Sequence, residues 1–309
     1  MLSLFGSIVA LAPIVAATAS SKRGLVYVVG QASDDNLWDS SNSDITWYYN
    51  YKAEPTTEYN GKLEFVPMMW GAPSSPSTDM SFYNSVSSLI DGGMNITHVL
   101  GFNEPDGCVS GGSCMAAADA ATIWKLQFEP LKKKYGVKLG APAVTGAPNG
   151  FTWLANWFSE CAALSNGNGS CEVDFIPAHW YGNFEGLASH LGQVNATYQN
   201  ITETWVTEFA CTECSLKDSQ TFFNQSTSYF DDTLSYLTRY SYFGAFRSDV
   251  SNVGPNAAFL TQKGELTDIG SWYLGGEATG NVPKGSASAV AKFAGWGAVV
   301  GASIFWSLL

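Results

Sequence analysis

Two glutamates end apolar runs in this chain, where folding alone has little use for an acid. Glu104 follows Val99-Leu100-Gly101-Phe102-Asn103, and Glu208 follows Thr204-Trp205-Val206-Thr207. Runs rich in β-branched and aromatic residues read as buried strands, and a carboxylate at the end of one is aimed rather than packed. Two such carboxylates can divide one reaction. A carboxyl held protonated assists a leaving oxygen, while an ionised one attacks or stabilises a cationic anomeric carbon, which is the chemistry that opens a glycosidic bond. Each residue also has a plain structural reading, Glu104 as a turn residue before Pro105 and Glu208 as a solvated loop acid before a cysteine pair. Their joint occurrence weakens both. Trp47, Tyr48, Asn50, Trp70 and Trp180 lie on neighbouring strand-end segments and are the candidates for lining a cleft, since a flat polyol stacks on aromatic rings and needs amide partners at its rim. His179 and Tyr181 are further contacts from Ala178-His179-Trp180-Tyr181-Gly182, although a lone histidine is more often structural. Strand alternation lets only about half of these point inward.

The elements that must position them alternate. Strands are expected at Leu25–Val29, Ile45–Asn50, Glu64–Met69, Thr97–Phe102, Lys138–Ala141, Asp174–His179, Thr204–Glu208 and Tyr242–Phe246. Apolar residues at three and four spacing predict helices over Asp79–Asp91, Ala116–Tyr135, Phe151–Leu164, Leu187–Tyr198 and Phe222–Tyr240. Eight βα units without an interrupting linker fit an α/β fold, a single (β/α)8 TIM barrel, whose chemistry sits on the loops after the C-terminal strand ends.

Composition narrows the partners. The chain has 309 residues, 46% hydrophobic and 14% charged, with a net charge of −12, which is enough for a large core and argues against nucleic acid as a ligand. Residues 1–19 read as a signal peptide ending in Ala17-Thr18-Ala19, and 20–23 as a propeptide trimmed at Lys22-Arg23. The catalytic domain is expected over 24–280. Residues 281–309, small residues and then an apolar terminus, read as a glycosylphosphatidylinositol signal, with a tail-anchor helix as the alternative. Membrane association is expected only through such an anchor, and the protein is placed as a secreted monomer at the cell wall or the outer face of the plasma membrane. Six cysteines in close pairs, Cys108 with Cys114, Cys161 with Cys171 and Cys211 with Cys214, read as local disulfides. The three histidines, His98, His179 and His190, show no ligand spacing, so neither metal nor cofactor is expected. Asn95, Asn168, Asn195, Asn200 and Asn224 open glycosylation sequons.

The ordered segments WYYNY, FVPMMWG, VLGFNEPD, HWYG, WVTEFA and GELTDIGSWY resemble glycoside hydrolase family 128, also described as the Asl1-like glycosyl hydrolases, from Gly24 to about Gly275. The resemblance implies a (β/α)8 retaining enzyme acting on β-1,3-glucan, with Glu104 as acid/base and Glu208 as nucleophile. It also implies that Asn103 binds the 2-hydroxyl of the sugar beside the scissile bond. Phe246 and Arg247 stand where that family leads one to expect a tryptophan-bearing segment. Three other readings remain: a glucan-binding protein without turnover, a transglycosylase on the same barrel, and a structural wall mannoprotein, the last disfavoured by a body poor in serine, threonine and proline.

Overall fold

A computed structural model describes residues 20–284 apart from 42, 110 and 168. The expected leader at 1–19, the segment from 285 onward and the Asn168 sequon lie outside the described residues. Strands β1 (Gly24–Val26), β2 (Trp47–Tyr49) and β3 (Glu64–Phe65) form one sheet. β4 (His98–Leu100) and β5 (Lys138–Gly140) form a second, and β6 (Ile176–Tyr181), β7 (Thr204–Ala210) and β8 (Leu237–Tyr242) a third. All pairings are parallel. Single parallel bridges, Met68 to Leu100, Gly140 to Phe175 and Arg23 to Tyr240, join β3 to β4, β5 to β6 and β8 to β1.

Helices α1 (Ala32–Asp35), α2 (Ser81–Asp91), α3 (Ala117–Ile123), α4 (Glu129–Tyr135), α5 (Pro148–Leu164), α6 (Phe184–Thr197), α7 (Leu216–Ser228) and α8 (Asp268–Tyr273) alternate with the strands, except that only a single 3₁₀ turn, Thr57–Tyr59, separates β2 from β3. α3 and α4 are continuous through a π stretch, Trp124–Phe128. Pro130 accounts for it, because proline has no N–H to give and its ring crowds the carbonyl four residues back. Among the described residues no helix is long and apolar enough to cross a membrane.

The last strand departs from expectation. It lies at Leu237–Tyr242 rather than Tyr242–Phe246, and the helix expected to reach Tyr240 stops at Ser228, followed by one π turn at Tyr229–Thr233. No glycine or proline occurs between Leu216 and Phe243, so this stretch lacks the usual punctuation between helix and strand. Tertiary packing decides instead: Arg239 turns inward against Trp47 and Trp205, its guanidinium carbon 4.6 Å from the Trp205 ring centre.

Those residues belong to a plug at the N-terminal ends of the strands. Trp205 stacks on Phe175 at 4.2 Å and meets Trp47 and His98 at 5.0 Å each. Within it Arg239 pairs with Glu64 at 2.8 Å, and Thr97 donates to the other Glu64 oxygen at 2.6 Å. The segment expected to be a removable propeptide is built into the same end. Arg23 is 3% exposed. Its guanidinium donates to Asp44, to the carbonyls of Trp272 and Tyr273, and to the Tyr240 hydroxyl. Lys22 bonds the Phe230 carbonyl and accepts from Trp47 Nε1 through its own carbonyl. Lys22 and Arg23 therefore pack as part of the N-terminal plug.

Candidate active site

Glu104 is set by a turn after β4. Its backbone lies at φ 39°, an uncommon region for a residue with a side chain, and the N–H donates to Ala143 O at 2.7 Å. The Cys108–Cys114 disulfide closes the loop that follows and folds it back on this turn. Ser113 N–H donates to Asn103 O at 3.0 Å, Met115 N–H to Pro105 O at 3.0 Å, and Asn103 Nδ2 to Gly111 O at 3.0 Å. Gly112 sits so close to Gly107 and Glu104 O that any Cβ there would collide. Glu208 comes from within β7, two residues before its end at Ala210, and is buried.

The two acids meet over His179. One oxygen of each glutamate and a ring nitrogen of His179 all lie within 4.8 Å of one another, the one cluster of donors this tight among the described residues. His179 Nδ1 is 3.0 Å from Glu104 Oε1 and 3.6 Å from Glu208 Oε2. Tyr51 donates to Glu208 Oε1 at 2.7 Å and Tyr181 to Oε2 at 2.5 Å. Burial raises the Glu208 pKa above the usual glutamate range, only partly opposed by His179 and the two phenols, while Glu104 pushes it further up. Burial disfavours charge on His179, but the facing carboxylates outweigh it and raise its pKa. The arrangement places two carboxyl groups close enough for attack and proton transfer at one bond, with the His179 ring between them. The same three side chains have the donor types of a metal site, with both Glu208 oxygens already engaged by phenols.

Of the expected cleft residues, the structure brings Asn103, His179 and Tyr181 to the two glutamates. Asn103 Oδ1 is buried with no partner among the described residues. Trp70, 41% exposed, stands on the rim of a cavity of about 350 Å³ that Tyr51 also lines. Trp47 does not reach the site: it is 1% exposed and belongs to the N-terminal plug. Tyr48 points to the other face of β2, against Tyr59 and Phe65, and its hydroxyl accepts from Thr56 N–H. Asn50 caps its own turn, donating to Glu54 O and accepting from Lys52 N–H. Trp180 turns outward onto His190, with Nε1 donating to Asn183 O at 2.9 Å. Period-two alternation from Trp47 sends Tyr49 inward, and Tyr51, the site residue not singled out from the sequence, follows the strand end at φ 61°, where its hydroxyl reaches Glu208. A second cavity, of about 390 Å³, lies between the loops after β1 and β8. Its wall residue Phe243 meets Tyr181 edge-on at 5.9 Å.

The remaining two disulfides join Cys161 to Cys171 and Cys211 to Cys214. Asn95, Asn195, Asn200 and Asn224 are all exposed.

With this geometry in hand, comparison with known proteins is decisive for the family. Residues 24–273 match the family model described as glycosyl hydrolase catalytic core. The chain belongs to this family, as a member of glycoside hydrolase family 128. It is 30% identical over 267 residues to alkali-sensitive linkage protein 1 of Schizosaccharomyces pombe, a match covering 83% of this chain and 45% of that protein. The chain thus spans about half the length of the curated relative it matches. An endo-β-1,3-glucanase of the family from Pseudomonas viridiflava superposes with a TM-score of 0.66 at 25% identity, covering 85% of this chain and 100% of the other. A family 128 oligosaccharide-binding protein from Cryptococcus neoformans gives 0.60 at 25% identity, covering 83% and 94%. The family includes both endo- and exo-acting β-1,3-glucanases.

Proposed function

We propose that this family 128 protein is a secreted, retaining endo-β-1,3-glucanase of the cell wall, and that its eight parallel strands form a closed (β/α)8 barrel. The three sheets and the bridges between them support the barrel. One observation carries the chemistry: Glu104 and Glu208 oxygens within 4.8 Å, near the ~5–5.5 Å spacing of retaining carboxyl pairs and short of the ~6.5–9.5 Å that leaves room for an inverting water. Glu208, held at both oxygens by phenols, attacks the anomeric carbon as the glycosidic bond breaks, and Glu104 gives its proton to the leaving oxygen. Glu104 then takes a proton from water, whose oxygen displaces Glu208 and restores the enzyme. Asn103 Oδ1 accepts from the sugar 2-hydroxyl, and His179 holds the two acids in register. The cavity that Tyr51 lines, and the one whose wall residue Phe243 meets Tyr181, both adjoin phenols that hold Glu208, which supports a chain running past the acids and so internal cleavage.

Digestion of laminarin, curdlan and a mixed-linkage glucan, with the anomer of the first product read by proton NMR, tests this reading. β-1,3-Oligosaccharides released with retained configuration are expected, and an inverted product or glucose alone would overturn the mechanism or the internal cleavage. The likeness to an oligosaccharide-binding member supports a second reading, binding without turnover. Saturable binding of laminari-oligosaccharides with no product would establish it.

A further inference from the structure

We propose that an N-linked glycan on Asn95 folds back into a groove left open between β2 and β3, where its first sugar gives the cover that a helix gives elsewhere in the fold. A helix separates every other pair of consecutive strands, but only the Thr57–Tyr59 turn separates these two. The gap is a cavity of about 670 Å³ on their outer face, within the ~300–1,000 Å³ range of small-molecule sites. Tyr48, Tyr59 and Phe65 line it from the strands and the turn, Leu89 and Met94 from the end of α2 and the loop beyond. Asn95 belongs to the same lining and is exposed. It opens the sequon Asn95-Ile96-Thr97. The proposal rests on the secreted reading above and not on the glucanase chemistry.

The turn into β4 sets that asparagine at the rim. Gly92 N–H donates to Ser88 O at 2.9 Å and Met94 N–H to Leu89 O at 3.0 Å, while Gly93, at φ 94°, takes the left-handed step between them. The other end of the sequon is folded inward. Thr97 donates to Glu64 at 2.6 Å and Ile96 is 7% exposed, so the three residues are accessible as an extended segment only before β4 pairs. The sugar therefore goes on before folding is complete. In that step Asn95 Nδ2 bonds the anomeric carbon of an N-acetylglucosamine carried on a lipid diphosphate, the lipid diphosphate leaves with the electrons of the old C–O bond, and the amide proton passes to solvent. Leu63, Leu89 and Met94 then offer apolar surface to the pyranose C–H groups and the acetyl methyl, and the exposed Asn60 an amide to the hydroxyls. Asn195 and Asn224, by contrast, are exposed positions on α6 and α7.

The test uses the whole chain secreted from a yeast host, with glycopeptides mapped by mass spectrometry. Melting temperatures are taken for the wild type, Asn95→Gln, Met94→Ser, the double variant and Asn224→Gln. Asn95 should be occupied. Asn95→Gln should lower the melting temperature by about 2–4 °C, whereas Asn224→Gln should move it by less than about 1 °C. Trimming with endoglycosidase H, which leaves the first N-acetylglucosamine in place, should leave the wild type unchanged. Met94→Ser should shrink the gap caused by Asn95→Gln, because it weakens the surface that the sugar covers. Asn60→Ala, on an exposed side chain, replaces it in the cycle if Met94→Ser unfolds. A bare Asn95 beside other occupied sequons, no gap on Asn95→Gln, or a gap that the groove variant does not reduce overturns the proposal and leaves the secreted reading intact. A chain with no sequon occupied overturns both.

Discussion

Two glutamates, Glu64 half-buried and Glu208 buried, face the strand interior from opposite ends, and their surroundings push them in opposite directions. At the N-terminal end, burial would raise Glu64, but His98, Arg239 and Thr97 outweigh it and hold its pKa at about 2. At the C-terminal end, burial also raises Glu208, and there the neutral phenols of Tyr51 and Tyr181 with His179 only partly offset it. Glu64 has a permanent cation at 2.8 Å, whereas the charge nearest Glu208 other than His179 is a second acid. The first arrangement stabilises an ionised carboxylate for the fold. The second leaves a carboxylate under electrostatic load, as reaction centres commonly do at the expense of stability.

Breaking that contrast at its functional end gives the largest effect. Glu208→Gln keeps the shape and removes the attacking charge, so activity on β-1,3-glucan should fall by at least ~10³-fold. The same variant should melt higher than the wild type at neutral pH. Because the folded pKa of Glu208 lies above its ordinary 4.5, its contribution is fully favourable below that value and is lost as pH rises through the folded pKa. The gap in melting temperature should therefore close as pH falls toward 4.5. A variant that is less stable at neutral pH would show that Glu208 is a structural ion like Glu64.

Next come the plug and the rim. Trp47→Ala removes a buried indole and should cost about 3–5 kcal/mol in stability, read by denaturant unfolding, while Trp70→Ala should leave stability within about 0.5 kcal/mol and raise KM. The reverse pattern would exchange their roles. Glu64→Gln should cost about 1–2 kcal/mol at neutral pH, the shift from 4.5 to about 2 discounted for partial solvent screening. Its sign is opposite to that of Glu208: the stabilisation is present above pH 4.5 and disappears as pH falls through about 2, so wild type and variant should converge in acid.

The same contrast explains what could be read from the sequence. Glu104 and Glu208 were legible because an acid at the end of an apolar strand breaks the binary pattern, and functional sites are where such patterns break. The cleft aromatics were less so. Trp47, Tyr48 and Trp180 share composition with Tyr51 and Tyr181, and only strand phase separates inward from outward, while only depth along the strand separates plug from site. Trp47 opens β2 and Tyr51 lies just past its end, so one belongs to the plug and the other to the site. Arg23 was illegible for another reason: a dibasic pair is a local signal, whereas its partners Asp44, Tyr240, Trp272 and Tyr273 are distant in sequence. Peptide mapping of the mature protein should accordingly recover Arg23.

The smallest effect separates two disulfides. Both Cys108–Cys114 and Cys161–Cys171 close short loops, of 6 and 10 residues, so losing either should cost about 2–3 kcal/mol by chain entropy. Their reach into the chemistry differs. The first loop carries Gly111 and Ser113, which hold the side chain and the carbonyl of Asn103, and Gly112, which abuts the Glu104 turn. The second ties the end of α5 to the approach of β6, away from both acids. Cys108→Ser with Cys114→Ser should therefore lower kcat about tenfold, as a slightly misplaced acid does, with KM little changed. Cys161→Ser with Cys171→Ser should lower the melting temperature by a similar amount and leave kcat within twofold, about 0.4 kcal/mol. Equal losses of kcat in the two pairs, measured well below both melting temperatures, would mean that the Cys108–Cys114 loop stabilises the protein without positioning Glu104.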